Sequence, residues 1–295
     1  MSTARNLDLS RIRLVIVASP EARARLRDRA IELFVNAGLP RPAPVEPTVP
    51  SVATLTLSLN PSPIGPACLD QVLYAPALTL TEPVTIPRNG ALLYDSSWTM
   101  RAEPQVRKPV EIEQLEADLD GFIRQFIADY RTANQGAGSS ERRASPASDQ
   151  EPSLSAVTLA DAAHSAAALS NLALSTVQLN VLAGQGTARL RARALEQLAA
   201  AGLPASPAQT GSGAVTLGIE LLQQPLEDRC PGYVLYTRGL YLVEQVRIVR
   251  NPMISIWSDT WLREAVQIVP PLSLHQLESD QDALLQEFIR AVRAD

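Results

Sequence analysis

Leu78-Thr79-Leu80-Thr81-Glu82-Pro83-Val84-Thr85-Ile86-Pro87-Arg88 and Leu240-Tyr241-Leu242-Val243-Glu244-Gln245-Val246-Arg247-Ile248-Val249-Arg250 agree at every second position, reading Leu, Leu, Glu, Val, Ile, Arg. A period of two is that of a β-strand, in which alternate side chains share a face of the sheet. Both stretches therefore read as strands with the six shared residues on one face. The intervening positions differ between the two, so the shared face is the one constrained by a core, and Glu82 and Glu244 point toward it.

The agreement extends outward in both directions. Cys68 to Asn89 matches Cys230 to Asn251 at 11 of 22 positions, and Arg25 to Pro40 matches Arg189 to Pro204 at 10 of 16. Ordinary residue frequencies give about one or two matches in runs of this length. Asn6 to Ser10 recurs near Asn171 to Ser175, Trp98 answers Trp261, and Leu115, Asp118, Phe126 and Ile127 answer Leu277, Asp280, Phe288 and Ile289. The chain reads as a tandem duplication.

Each copy opens on an alternating strand, with Ile12, Leu14 and Ile16 in one and Val177, Leu179 and Val181 in the other. A helix follows, ended by Gly38-Leu39-Pro40 or Gly202-Leu203-Pro204, where glycine supplies the left-handed turn and proline forbids continuation. Three strands are expected next, near residues 53–59, 72–86 and 91–102 and near 214–222, 233–249 and 253–266. A closing helix carries Leu115, Phe122, Phe126 and Tyr130 on one stripe. The expected class is α+β, two β-α-β-β-β-α units, each a mostly antiparallel four-stranded sheet with two helices on one face. Residues 1–132 form the first unit and 171–295 the second. Between them, 133–170 reads as a flexible Ser/Ala/Pro-rich linker, with a possible short helix from Ala156 to Leu169. The element order resembles that of the small α/β units in bacterial envelope-assembly proteins such as TolB, and a shared order carries no activity with it.

The 295 residues hold 31 acidic and 26 basic side chains, a net charge of −5, with Lys108 the only lysine. That balance disfavours nucleic acid as a partner. No apolar run is long enough for a membrane span, and Met1-Ser2-Thr3-Ala4-Arg5 does not open an apolar signal segment. With only two cysteines, the expected location is cytoplasmic.

The candidate chemistry is sparse. Glu82 and Glu244 on an apolar strand face must be paired or lie at a rim, since an isolated buried carboxylate costs several kcal/mol. They form a structural ion pair with an arginine on the same face, or, with Arg88 and Arg250, a polar binding site. Pro83 suggests a bulge or edge that turns Glu82 toward water. Trp98 and Trp261 are either partner anchors or plates beneath a helix. Cys68 and Cys230 precede matching strands, and the only histidines, His164 and His275, are not at matching positions, which removes a shared Cys–His dyad. Each cysteine is expected to be reduced and to pack in its own core, because equivalent sites in separate cores seldom come within the roughly 7 Å Cα separation a disulfide tolerates. Two histidines and two isolated cysteines make no zinc pattern, and Gly184-Gln185-Gly186 and Gly211-Ser212-Gly213 are too short for phosphate loops. No metal and no cofactor are expected. The Pro-rich run from Pro40 to Pro50 reads as a stiff connection.

The function these readings support is that of a non-enzymatic protein-binding or assembly scaffold whose partner is another protein. The alternative is a ligand-binding protein or enzyme with a polar site between the units.

Overall fold

In a computed structural model, the structure describes residues 7–42, 53–64, 68, 70–134, 169, 172, 177–207, 215–226 and 229–293. The linker beyond Asn134, the Ala156–Leu169 helix apart from Leu169, the Gly211-Ser212-Gly213 turn, most of the Pro40–Pro50 run and all of Asn171–Ser175 but Leu172 lie outside the described residues.

The N-terminal half runs through β1 (Arg13–Val17), α1 (Pro20–Asn36), β2 (Thr54–Ser58), β3 (Ser62–Pro63), β4 (Val72–Tyr74), β5 (Ala77–Thr85), β6 (Leu92–Arg101), β7 (Gln105–Arg107) and α2 (Ile112–Asn134). The C-terminal half runs through β8 (Gln178–Ala183), α3 (Thr187–Ala200), β9 (Ser206–Pro207), β10 (Thr216–Pro225), β11 (Val234–Ile248), β12 (Asn251–Val269) and α4 (Leu274–Arg293). In each half a helix crosses between two parallel strands, β1 to β2 and β8 to β10, and antiparallel pairing adds the next two strands.

Local chemistry accounts for the helices. Ser19 caps α1 by accepting from the Ala22 N–H, and Pro20 occupies the first turn, where a missing donor does no harm. Gly38 and Gly202 adopt φ of 67° and 76°, closing α1 and α3 as their sequences require. Ala22, Leu26, Ala30 and Phe34 recur every fourth residue along the buried side of α1, as Leu190, Ala194 and Leu198 do along α3. These stripes, with Leu119, Phe122 and Phe126 of α2 and Leu277, Leu285 and Phe288 of α4, cover one face of the sheet over Leu55, Leu57, Leu78 and Leu80 and over Leu217, Ile219, Leu240 and Leu242. Arginine forks fasten the helix pairs: Arg25 and Arg29 hold Glu116 and Asp120, and Arg189 and Arg193 hold Glu278 and Asp282.

The class is α+β, but the sheet is not divided in two; it is mixed, with five antiparallel pairings to three parallel ones among the described residues. One nine-stranded mixed sheet runs β1-β2-β5-β11-β10-β8-β9, with β6 beside β5 and β12 beside β11. The joint is made because β5 and β11 outrun β2 and β10, leaving backbone donors and acceptors at their ends to pair with each other. Thr85 lies opposite Arg247, Val84 opposite Ile248, and the Val249 N–H donates to the Pro83 carbonyl. A further difference concerns the strand expected over residues 72–86. It is broken into β4 and β5, and β4 leaves for a second, three-stranded sheet with β3 and β7. Pro76 sits at the break and has no N–H for a ladder; Arg238 of the unbroken β11 has one.

Cys68 and Cys230 are bonded to each other, with their Cα atoms 5.7 Å apart, and both are buried. This overturns the expectation of two reduced thiols in separate cores. Each half has its own main core, but the cysteines lie in neither: they share one small cluster with Val106, Leu226 and Leu235, to which both halves contribute. The intact chain is therefore expected to gain two hydrogens in mass on reduction under denaturing conditions. Replacing both cysteines by serine should lower stability by about 2–5 kcal/mol, since a bond between residues 162 apart in sequence removes much freedom from the unfolded chain. Denaturant melts with and without reductant measure it, and melts indifferent to reductant would count against the bond.

Candidate functional site at the seam between the halves

The joint between β5 and β11 brings together the four charged residues singled out by the strand pattern. In an antiparallel pair, stepping two residues back on one strand and two forward on the other keeps partners opposed and on one face. From Val84 opposite Ile248, those steps place Glu82 across from Arg250, and the opposite steps, taken twice, place Arg88 across from Glu244. Arg88 donates to Glu244 through Nε at 2.7 Å and Nη2 at 3.0 Å. Arg250 donates to Glu82 through Nε and, at 3.0 Å, through Nη2. The Thr260 hydroxyl adds a bond of 2.7 Å to Glu244.

The carboxylates are almost wholly enclosed, Glu82 at 1% exposure and Glu244 at 3%, beside the apolar cluster of Val84, Ile86, Leu93 and Val246. Pro83 does not turn Glu82 toward water. Its carbonyl is used in the joint, and the bulge in the hairpin lies earlier, between Leu80 and Thr81. Each glutamate pairs with the arginine of the other half. Strand periodicity finds the shared face but says nothing about which strand end supplies the partner.

Trp98 and Trp261 lie on the strands next to β5 and β11, opposite Leu80 and Leu242. The β5–β6 and β11–β12 hairpins carry bulges at matching places; beside them the Ser97 hydroxyl donates to the Leu80 carbonyl, and the Thr260 hydroxyl, whose proton goes to Glu244, lies 3.3 Å from the Leu242 carbonyl. The bulges set each indole edge-on to a helix phenylalanine, Trp98 at 5.2 Å from Phe126 and Trp261 at 5.4 Å from Phe288. Trp261 is fully buried, with Arg263 over its ring, and Trp98 donates to Asp129. Trp257, in contrast, is about half exposed on β12.

Asp95 was missed at the sequence level. It lies opposite Glu82 in the β5–β6 ladder and beside Ser258 of β12. Burial pushes its carboxyl up to about 6, with nearby Asp259 acting in the same direction and the Ser258 and Ser96 donors acting against it. Its Oδ2 has no hydrogen-bond partner among the described residues. Nothing in the strand pattern marks it, because its burial comes from the approach of β12.

On the face of the sheet away from the helices, the two halves border an open groove of about 1010 Å³. Glu220 of β10 and Glu264 of β12 stand in register on either side of Gly239 of β11. Ser58 and Arg101 stand likewise on either side of Ala77. Glu220 is raised above the ordinary carboxylate range by burial and then by Glu264; Asp259 is raised by burial and by Glu264, against the pull of Arg101. A cavity of about 490 Å³ shares Glu103, Pro104 and Gln224 with this groove and extends it toward Val106 and Arg229 beside the disulfide. Among the described residues, no group of three or more His, Cys, Asp or Glu side chains is placed to hold a metal ion. No family model matches the chain, and no curated protein matches it.

Removing either glutamate takes from a partly buried arginine the enclosed carboxylate that grips it. Glu82→Ala and Glu244→Ala are each expected to cost about 3–5 kcal/mol in denaturant melts. A double-mutant cycle of Glu82→Ala with Arg250→Ala should show strong coupling, and the two glutamate losses should not add as they would in separate cores. Additive losses with two unfolding transitions would contradict a shared seam.

Asp95 makes a separate, pH-dependent contribution. Its folded pKa lies above its unfolded value near 4, so the charged form weakens the fold; the loss develops as pH rises from about 4 to about 6 and is complete above that. Asp95→Asn should therefore stabilise the chain by about 3 kcal/mol at most at pH 8 and leave it near the parent at pH 4. Equal gains at both pH values would assign the effect to shape and not to charge.

Proposed function

We propose that the chain is a non-enzymatic binding or assembly protein, built from two homologous α+β repeats and acting as one rigid platform for another protein. The observation that carries this reading is the reciprocal seam. Glu82 meets Arg250 as Glu244 meets Arg88, the arrangement of an isologous, pseudo-twofold interface, here with both partners in one chain. Shared ladder bonds, two enclosed ion pairs and the disulfide resist separation of the halves, which suits a platform. The matched sequence blocks support descent of both halves from one repeat, with units at about 1–132 and 171–295. In this reading Glu82, Arg88, Glu244, Arg250, Trp98 and Trp261 serve the platform's integrity, and the partner sits on the helix-free face.

A second reading, a ligand-binding protein with its site between the repeats, is favoured by the groove itself. Its polar groups are then Arg101, Glu220 and Glu264. In both readings the Cys68–Cys230 bond argues for an oxidising compartment over the cytoplasm. No helix among the described residues is long and apolar enough to cross a membrane.

Photo-crosslinking residues placed at Thr79 and Thr237 in the groove, and at Asp28 and Ala192 on the exposed sides of α1 and α3, separate the readings in native cells. One discrete protein adduct from the groove positions and none from the helix positions is the expected result. Adducts only from the helix positions would overturn the placement of the partner, and a bound small molecule recovered without any protein adduct would favour the second reading.

A further inference from the structure

The helix-free groove differs in charge between its two sides although its backbone plan is the same on both. Glu220, Gly239 and Glu264 form a row across three strands of the C-terminal half, and Ser58, Ala77 and Arg101 form the corresponding row in the N-terminal half. Neither Glu220 nor Glu264 has an ion-pair partner among the described residues. Two strand spacings separate their backbones by about 10 Å, a gap that two glutamate side chains can narrow around a single cationic group.

Gly239, itself buried, puts no side chain between them. Its φ is not positive, and a Cβ built there would come no closer than 3.6 Å to any atom, so neither conformation nor packing requires a glycine. Gly218 makes the contrast: a Cβ there would lie 2.0 Å from the Tyr241 ring, so packing does require that one. Glu220 and Glu264 thus flank a position that carries no side chain, and both line a trough that continues into the adjoining cavity toward Arg229. Small-molecule sites enclose most of their ligand. An open trough shared by two halves suits an extended chain.

We propose that this groove receives an extended basic segment of the partner protein, with one Lys or Arg side chain seated over Gly239 between Glu220 and Glu264. The inference rests on the protein-binding reading above and adds the chemistry of the partner. Charge complementarity selects the occupant. A cation between the two carboxylates replaces their mutual repulsion with two charge-assisted hydrogen bonds, and no side chain at Gly239 stands in its way.

The test pans a random twelve-residue peptide library, displayed on phage, over the immobilised full chain, followed by anisotropy titrations of labelled enriched peptides. Peptides with a recurrent Lys or Arg are expected. Their affinity should fall about tenfold or more with Glu220→Gln/Glu264→Gln, with Gly239→Val, and with Gln in place of the recurrent cation, and should fall as salt rises. The Gln pair removes like-charge repulsion and so should melt at or above the parent, which separates loss of binding from loss of fold. Enriched peptides that block crosslinking from Thr237 but lack a basic residue, or ignore the Gln pair, overturn this inference and leave the protein-binding reading standing. Failure of any peptide to enrich, together with absence of groove adducts, overturns both.

Discussion

The structure depends on one antiparallel register, in which residues 82–88 run opposite residues 244–250. Two backbone pairs define it, Val84 with Ile248 and Thr85 with Arg247, and they would hold little alone. What makes the register unique is that a slip of one residue would turn the strand faces over, and a slip of two would set Glu82 and Glu244 opposite apolar partners inside an enclosed seam. The buried ion pairs therefore act less as a source of net stability than as a penalty on every other alignment. A salt bridge taken out of water gains little over apolar packing, but one broken there is expensive.

The remaining features follow from that alignment. Because β5 and β11 join, the helix layers of both halves lie on the same sheet, and among the described residues no helix covers the opposite face. The joined sheet carries Cys68 and Cys230 into one apolar cluster, where a bond between them restrains the halves a second time. It also brings β12 beside β6, which encloses Asp95 and gives the seam a group that titrates within reach of ordinary pH. The groove is a further product of the same joint, since its walls belong to different halves and neither half forms it alone.

The correspondence between the halves is close where it touches the core and lapses where it faces the groove. Tyr74 donates to Asp118 as Tyr236 donates to Asp280, and Arg131 and Arg293 both reach back to the carbonyl ending the preceding helix, at Ala37 and Ala201. Ser58, Ala77 and Arg101 meanwhile stand where Glu220, Gly239 and Glu264 stand. Core positions are bound by shape, and each is replaced only at the expense of packing. Groove positions carry no such constraint, and a charge difference there leaves the fold intact.

Much of this was legible in the residues alone. Helix ends at Gly38 and Gly202, the buried stripes of α1 and α3, and the shared strand face of Glu82 and Glu244 follow from φ preferences and from periods of 3.6 and 2, which are properties of a chain segment and its nearest neighbours. What sequence could not decide was which elements meet. Period two assigns Glu82 a face but not a partner, matching cysteines can lie far apart or side by side, and the single long strand expected over residues 72–86 ignored what Pro76 does to a ladder. Partner choice, the disulfide, the enclosure of Asp95 and a groove shared by both halves depend on contacts between residues well over a hundred positions apart. Those contacts form only when two strand ends left without neighbours find each other, and that is a property of the packed molecule.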